Sequence, residues 1–103
     1  MTGSECAACK RNVKLTAHHL IPVSQHGRVS RRTGISKREL KGKVVGMCGD
    51  CHSQLHSIFT EKELANSYYE VGLFMADERF AKFVEWVSGR RGTFGHKRAA
   101  DRR

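Results

Sequence analysis

Four cysteines in two tight pairs, Cys6-x-x-Cys9 and Cys48-x-x-Cys51, constrain this chain more than any other feature. Disulfide scaffolds go with secretion and irregular spacing, whereas two CxxC pairs in a reduced compartment match tetrahedral thiolate coordination, with structural zinc as the expected ion. A redox use of either pair needs a CxxC opening a helix in a βαβ setting, and none is visible. Residues 10 to 47 lie between the pairs, too long a stretch for a simple ribbon finger. A substantial piece of structure must therefore be inserted between two zinc knuckles. At 103 residues the expectation is a single domain with a modest core, a size that a bound metal often helps to stabilise.

The first knuckle spans residues 4 to 12, with the small residues Ala7 and Ala8 between its thiolates. Residues 13 to 21 (VKLTAHHLI) are β-branched and apolar and read as a strand, stopped by Pro22, which cannot donate to a ladder. QHGRVSRRTGISKRE, rich in Gly, Ser and Arg, reads as a flexible basic loop that could be disordered without a partner. Residues 43 to 47 (KVVGM) suggest a second strand running into the second knuckle. From Asp50 the spacing is helical: Cys51, Leu55 and Ile58 take one side, and His52 and His56, four apart, stack on another. Thr60-Glu61-Lys62-Glu63 is a capping box opening a further helix whose apolar side is Leu64, Tyr68 and Val71, with Asn66-Ser67 as an early break. Asp77 caps a last helix carrying Phe80, Phe83, Val84 and Val87 at core spacing, and Gly89 ends it.

Charge is segregated. The net +9 comes from 19 Lys and Arg against 10 Asp and Glu. Residues 10 to 43 hold ten basic residues and one acidic, residues 89 to 103 six and one, and residues 44 to 88 three and seven. Two basic blocks without an amphipathic basic helix favour nucleic acid over an anionic membrane as partner. Arg28, Arg31, Arg32, Lys37, Arg38 and Lys41 form the expected DNA-facing loop, and Arg90, Arg91, Lys97 and Arg98 a basic tail suited to phosphate contact. No apolar leader and no apolar run of about 18 residues is present, so a cytoplasmic protein is expected, with no membrane and no small-molecule substrate.

Two neighbouring histidines, His18 and His19, sit in the first strand. Successive side chains on a strand point to opposite faces, so these imidazoles cannot both reach one ion. If the two strands pair and the helix from Asp50 crosses them, one imidazole meets His52 and His56, a pair suited to a divalent cation. The other is left to take a proton from water, a division of labour that phosphodiester hydrolysis requires. His26 and His96 read as ordinary surface or core histidines.

The combination of CxxC, then AHHLIPVS, then MCGDCHSQLH resembles the HNH endonucleases, the zinc-stapled branch of the His-Me finger or ββα-metal nucleases, over residues 6 to 59. The resemblance implies an α+β fold: a ββα-metal core at residues 4 to 59 with a four-cysteine zinc site, C-terminal helices at 60 to 89 and a basic tail at 90 to 103. It implies His19 as general base, His18 as metal ligand, His52 and His56 as helix-borne ligand candidates, and Mg²⁺, Mn²⁺, Ni²⁺ or Zn²⁺ as the ion. It further implies a DNA endonuclease that nicks as a monomer, of a kind often encoded by phages or mobile elements. The chain departs from the family at the middle letter of HNH, where Lys43 stands in place of the asparagine that helps orient the base. A non-catalytic zinc-finger module that binds nucleic acid is therefore the alternative.

Overall fold

The computed structural model describes residues 5 to 90. The architecture is small α+β: two antiparallel strands and six short helices. Strand β1 (Leu15–His19) pairs with β2 (Val44–Cys48) in a register that sets Leu15 against Cys48, His18 against Val45 and His19 against Val44. Between them lie a 3₁₀ turn (Val23–Gln25), α1 (His26–Thr33) and α2 (Lys37–Lys41). After β2 come α3 (Gly49–Ile58), α4 (Glu61–Ser67), α5 (Val71–Met75) and α6 (Glu78–Ser88). Among the described residues no helix is long and apolar enough to cross a membrane.

Both strands are shorter than or shifted from the sequence expectation, with ladder pairing beginning two residues later in β1 and one residue later in β2. The larger difference lies between them. The expected flexible loop is helical, because Gly34 adopts φ 83 and closes α1 with a left-handed cap, while the Ser36 side chain accepts from the Glu39 N–H to start α2. Each helix contributes one anchor: Val29 and Leu40 join Ile21 and Ala65 in a small second core.

The main core gathers Met47, Leu55, Phe59, Leu64, Phe74, Phe80, Val84 and Val87 around the four cysteines. Helix α3 packs on both the sheet and α6. The capping box at Thr60 is complete, Asp77 caps α6, and Gly89 ends it. The helix opened by Thr60 stops at Ser67, so Leu64 and Val71 belong to separate helices. Tyr68 leaves helical geometry and lays its ring 4.2 Å from that of Phe59.

Candidate metal and histidine site

The four cysteine sulfurs lie within 4.8 Å of one another, and all four residues are buried. Cys9 Sγ is 3.8 Å from Cys48 Sγ, far beyond a disulfide bond, so the cluster is a set of free thiols arranged as a tetradentate donor set that could hold a metal ion. Three local features build it. Lys10 takes φ 67, which tightens the first knuckle, and its N–H bonds Cys6 O at 3.0 Å. The Ala7 N–H reaches Gly46 O at 2.9 Å, lashing that knuckle to β2. Cys48 ends β2 and is also the N-cap of α3, its sulfur accepting from the Cys51 N–H.

Arg11, counted in the basic block, is not part of the cationic surface. It is 8% exposed and donates to Cys9 Sγ, Cys48 Sγ and Asp50 Oδ2, each at 3.2 Å. Burial opposes its charge, but Cys9, Cys48 and Asp50 hold it firmly protonated. Hydrogen bonds from Cys48 and Cys51 pull the Cys6 thiol well below its ordinary range. Cys51 is pushed up by Cys48, by Cys6 and by burial; Cys48, although Cys51 pulls it down, is raised on balance by Cys6 and burial. Without a cation, one thiolate thus suppresses ionisation of its neighbours; a bound cation would relieve that repulsion and let all four ligate.

The second cluster is His18, His52 and His56, with ligand atoms again within 4.8 Å. His18 is 1% exposed and faces α3, its ring 5.1 Å from that of His52 and 5.4 Å from that of His56. Both its ring nitrogens are buried without a hydrogen-bond partner. Native proteins rarely leave buried polar atoms unmet, so this imidazole fits a cation supplied from outside the chain. Burial first, and then His52, His56 and His19, push its pKa down to about 3. It is therefore neutral and able to ligate across the physiological range.

Thr16 was not anticipated as a site residue, although it stands two positions before His18 and so shares its strand face. Its hydroxyl lies 2.8 Å from His52 Nδ1 and donates to Met47 O at 3.0 Å. With its single proton directed to the carbonyl, the oxygen accepts from Nδ1–H, which leaves Nε2 of His52 for the cluster.

His19 points away from His18, as the pleat requires, and its ring takes no hydrogen bond from the described residues. Its ring neighbour is His26, at 6.2 Å. His26 is a core residue after all, 5% exposed, and its Nε2 donates to Ile21 O at 2.6 Å, pinning the turn that follows β1. His18, His19, His52 and His56 open onto one cleft of about 270 Å³ that Ser24 and Glu61 also line, those two hydrogen-bonded to each other.

Lys43 is exposed and does not line that cleft; its backbone closes the hairpin, with the Leu20 N–H bonded to Lys43 O at 2.9 Å. Arg28 is tied to Gln25 and Asn66 and is half-buried, while Arg31, Arg32, Lys37, Arg38 and Lys41 are exposed on α1 and α2. Arg90 sits 4.8 Å over the Trp86 ring. Arg91, His96, Lys97 and Arg98 lie outside the described residues.

Two outcomes follow for the histidine cluster. Thr16→Val should weaken Co²⁺ or Ni²⁺ affinity there by about tenfold to a hundredfold, as loss of an outer hydrogen bond to a ligand typically does; calorimetric titration beside the unaltered protein measures it. For metal-free His18, the unfolded chain takes up a proton near pH 6.5 that the folded chain refuses until about 3. The His18 contribution to stability is therefore full above pH 6.5 and is lost as pH falls toward 3. Denaturation of the wild type and of His18→Leu across that window should show the steeper fall in the wild type.

No family model matches the chain, and no solved structure does. It is 30% identical over 83 residues to the uncharacterized protein YisB of Bacillus subtilis (strain 168), an alignment covering 80% of this chain and 71% of that protein. The chain belongs to the same family as YisB.

Proposed function

We propose that the protein is a metal-dependent DNA endonuclease of the HNH type, its β1, β2 and α3 forming the ββα-metal core. One observation carries the reading: a buried imidazole with both nitrogens unmet faces two more imidazoles, while its chain neighbour faces the same cleft from the opposite side of the strand. His18, His52 and His56 would hold the ion. When bound there, a divalent cation supplies positive charge against the negative charge that builds on the phosphate and the departing oxygen. Imidazole ligands suit Ni²⁺ or Zn²⁺ better than Mg²⁺. His19, which coordinates nothing, takes the proton from the attacking water. The basic residues of α1 and α2 hold the backbone, a contact without direct sequence information. The runner-up reading, a module that binds nucleic acid without cutting it, is favoured by the exposed Lys43 in place of an orienting asparagine.

Incubation with supercoiled plasmid and each of Mg²⁺, Mn²⁺, Ni²⁺ and Zn²⁺ separates the two. Relaxed product is expected with at least one ion, and His19→Ala should slow it by about a hundredfold or more while binding persists. A protein that shifts plasmid but nicks it with none of these ions is the binding module instead.

At the cysteine cluster the ion is assigned as zinc, since a four-thiolate tetrahedral set selects it over harder cations. One zinc per chain is expected by native mass spectrometry. Cys51→Ser should unfold the domain, because structural zinc in small domains contributes on the order of 10 kcal/mol to folding; an unchanged thermal melt would contradict this.

A further inference from the structure

The segment between the strands builds a cationic cradle that the histidine cluster does not account for. Lys37, Arg38 and Lys41 line, with Val23, His26 and Gly27, a cavity of about 440 Å³. None of the three cations makes an ion pair with a described residue. The floor is Gly27. A Cβ built there would stand 3.5 Å from Arg31 Nη1 and 3.9 Å from Lys37 Cε. Two like-charged side chains from different helices therefore converge on one point of bare backbone. Such convergence is unfavourable unless an anion comes between them.

The cradle is also next to the cleft. Val23 lines both, and His26, which lines the cradle, has its ring 6.2 Å from that of His19. A free anion would need one pocket of charge. Three cations lining one cavity, with Arg31 beside its glycine and the histidine cleft adjoining, match a polymer of phosphates.

We infer that this cradle binds a phosphodiester group flanking the one at the histidine cleft, held by Arg31 and Lys37 over Gly27, with Arg38 and Lys41 continuing the path. The inference rests on the nuclease reading and deepens it by placing the strand. It makes the α1 and α2 insertion a backbone clamp that reads charge and leaves base sequence unread.

Binding of a short fluorescent DNA duplex, measured over a salt series without added divalent cation, tests the cradle apart from cleavage. Gly27→Ala should bind as the wild type does, because its methyl group meets only ordinary contacts. Gly27→Glu places a carboxylate four residues before Arg31, a helix-stabilising pair, so it should melt no lower than Gly27→Ala. It should nevertheless lose about tenfold in affinity and show a salt slope shallower by about one phosphate contact. In the wild type, duplex should slow acetylation of Lys37 and Lys41 several-fold while Lys62 and Lys82 react as in the free protein. Equal affinity for the two Gly27 variants, or unprotected Lys37 and Lys41, overturns the cradle even if plasmid is nicked. A protected cradle in a protein that never nicks sustains this inference and removes the nuclease.

Discussion

Everything else in this molecule depends on the convergence of four cysteine sulfurs at the foot of the hairpin. Among the described residues the sheet has two strands, and such ribbons are marginal on their own. The cysteines supply what the sheet lacks by tying the first knuckle, the end of β2 and the first turn of α3 to one point. Cys48 matters most, because it is a cluster sulfur, the partner of Leu15 in the register and the N-cap of α3. Fixing it fixes the angle at which α3 leaves the sheet. The buried Arg11 and Asp50 brace the same corner, with the guanidinium shared between two sulfurs and a carboxylate. A buried ion pair alone is weak support, but negative charge on the sulfurs gives this arginine a further reason to remain charged and in place.

The histidine cluster is a consequence of that angle. Once α3 lies across the sheet, positions 52 and 56 face it one turn apart, and the pleat decides which strand residues they meet. Thr16 and His18 share that face and contact α3; His19 cannot. The two-residue period of a strand thereby sends the neighbouring imidazoles to opposite faces. On the proposed nuclease reading, this keeps the base free of the ion that its neighbour helps to bind.

Features set by local chemistry were legible in the sequence. The paired CxxC motifs, the capping box at Thr60, the Asp77 cap and the Gly89 stop all depend on residues within one turn of each other. Opposed faces for His18 and His19 followed from strand geometry alone. The α1 and α2 helices were not legible, because each has a single deeply buried apolar residue to signal a helical face. Their stability comes from Ile21 and Ala65, distant in sequence. The break after Ser67 was legible at Asn66-Ser67, and the structure adds the Tyr68 ring laid against Phe59. Arg11 resembles any other basic residue in the sequence; only the sulfurs folded against it distinguish it.

On the proposed nuclease reading, lysine at the position of the family asparagine is best understood through the same insertion. Lys43 points to solvent, yet the turn beyond His19 is not loose: the Leu20 N–H bonds across the hairpin to Lys43 O, and the His26 ring bonds Ile21 O. Backbone atoms of position 43 act here whatever its side chain, and a buried histidine from α1 fixes the next carbonyl along. His26 can do so because Val29, one turn later on the same helix, is anchored in the second core with Leu40. The insertion that carries the cations thus also immobilises the chain next to His19. A strand end held by two backbone carbonyls does not require a side-chain amide to stay in place, so lysine at position 43 is compatible with an oriented His19.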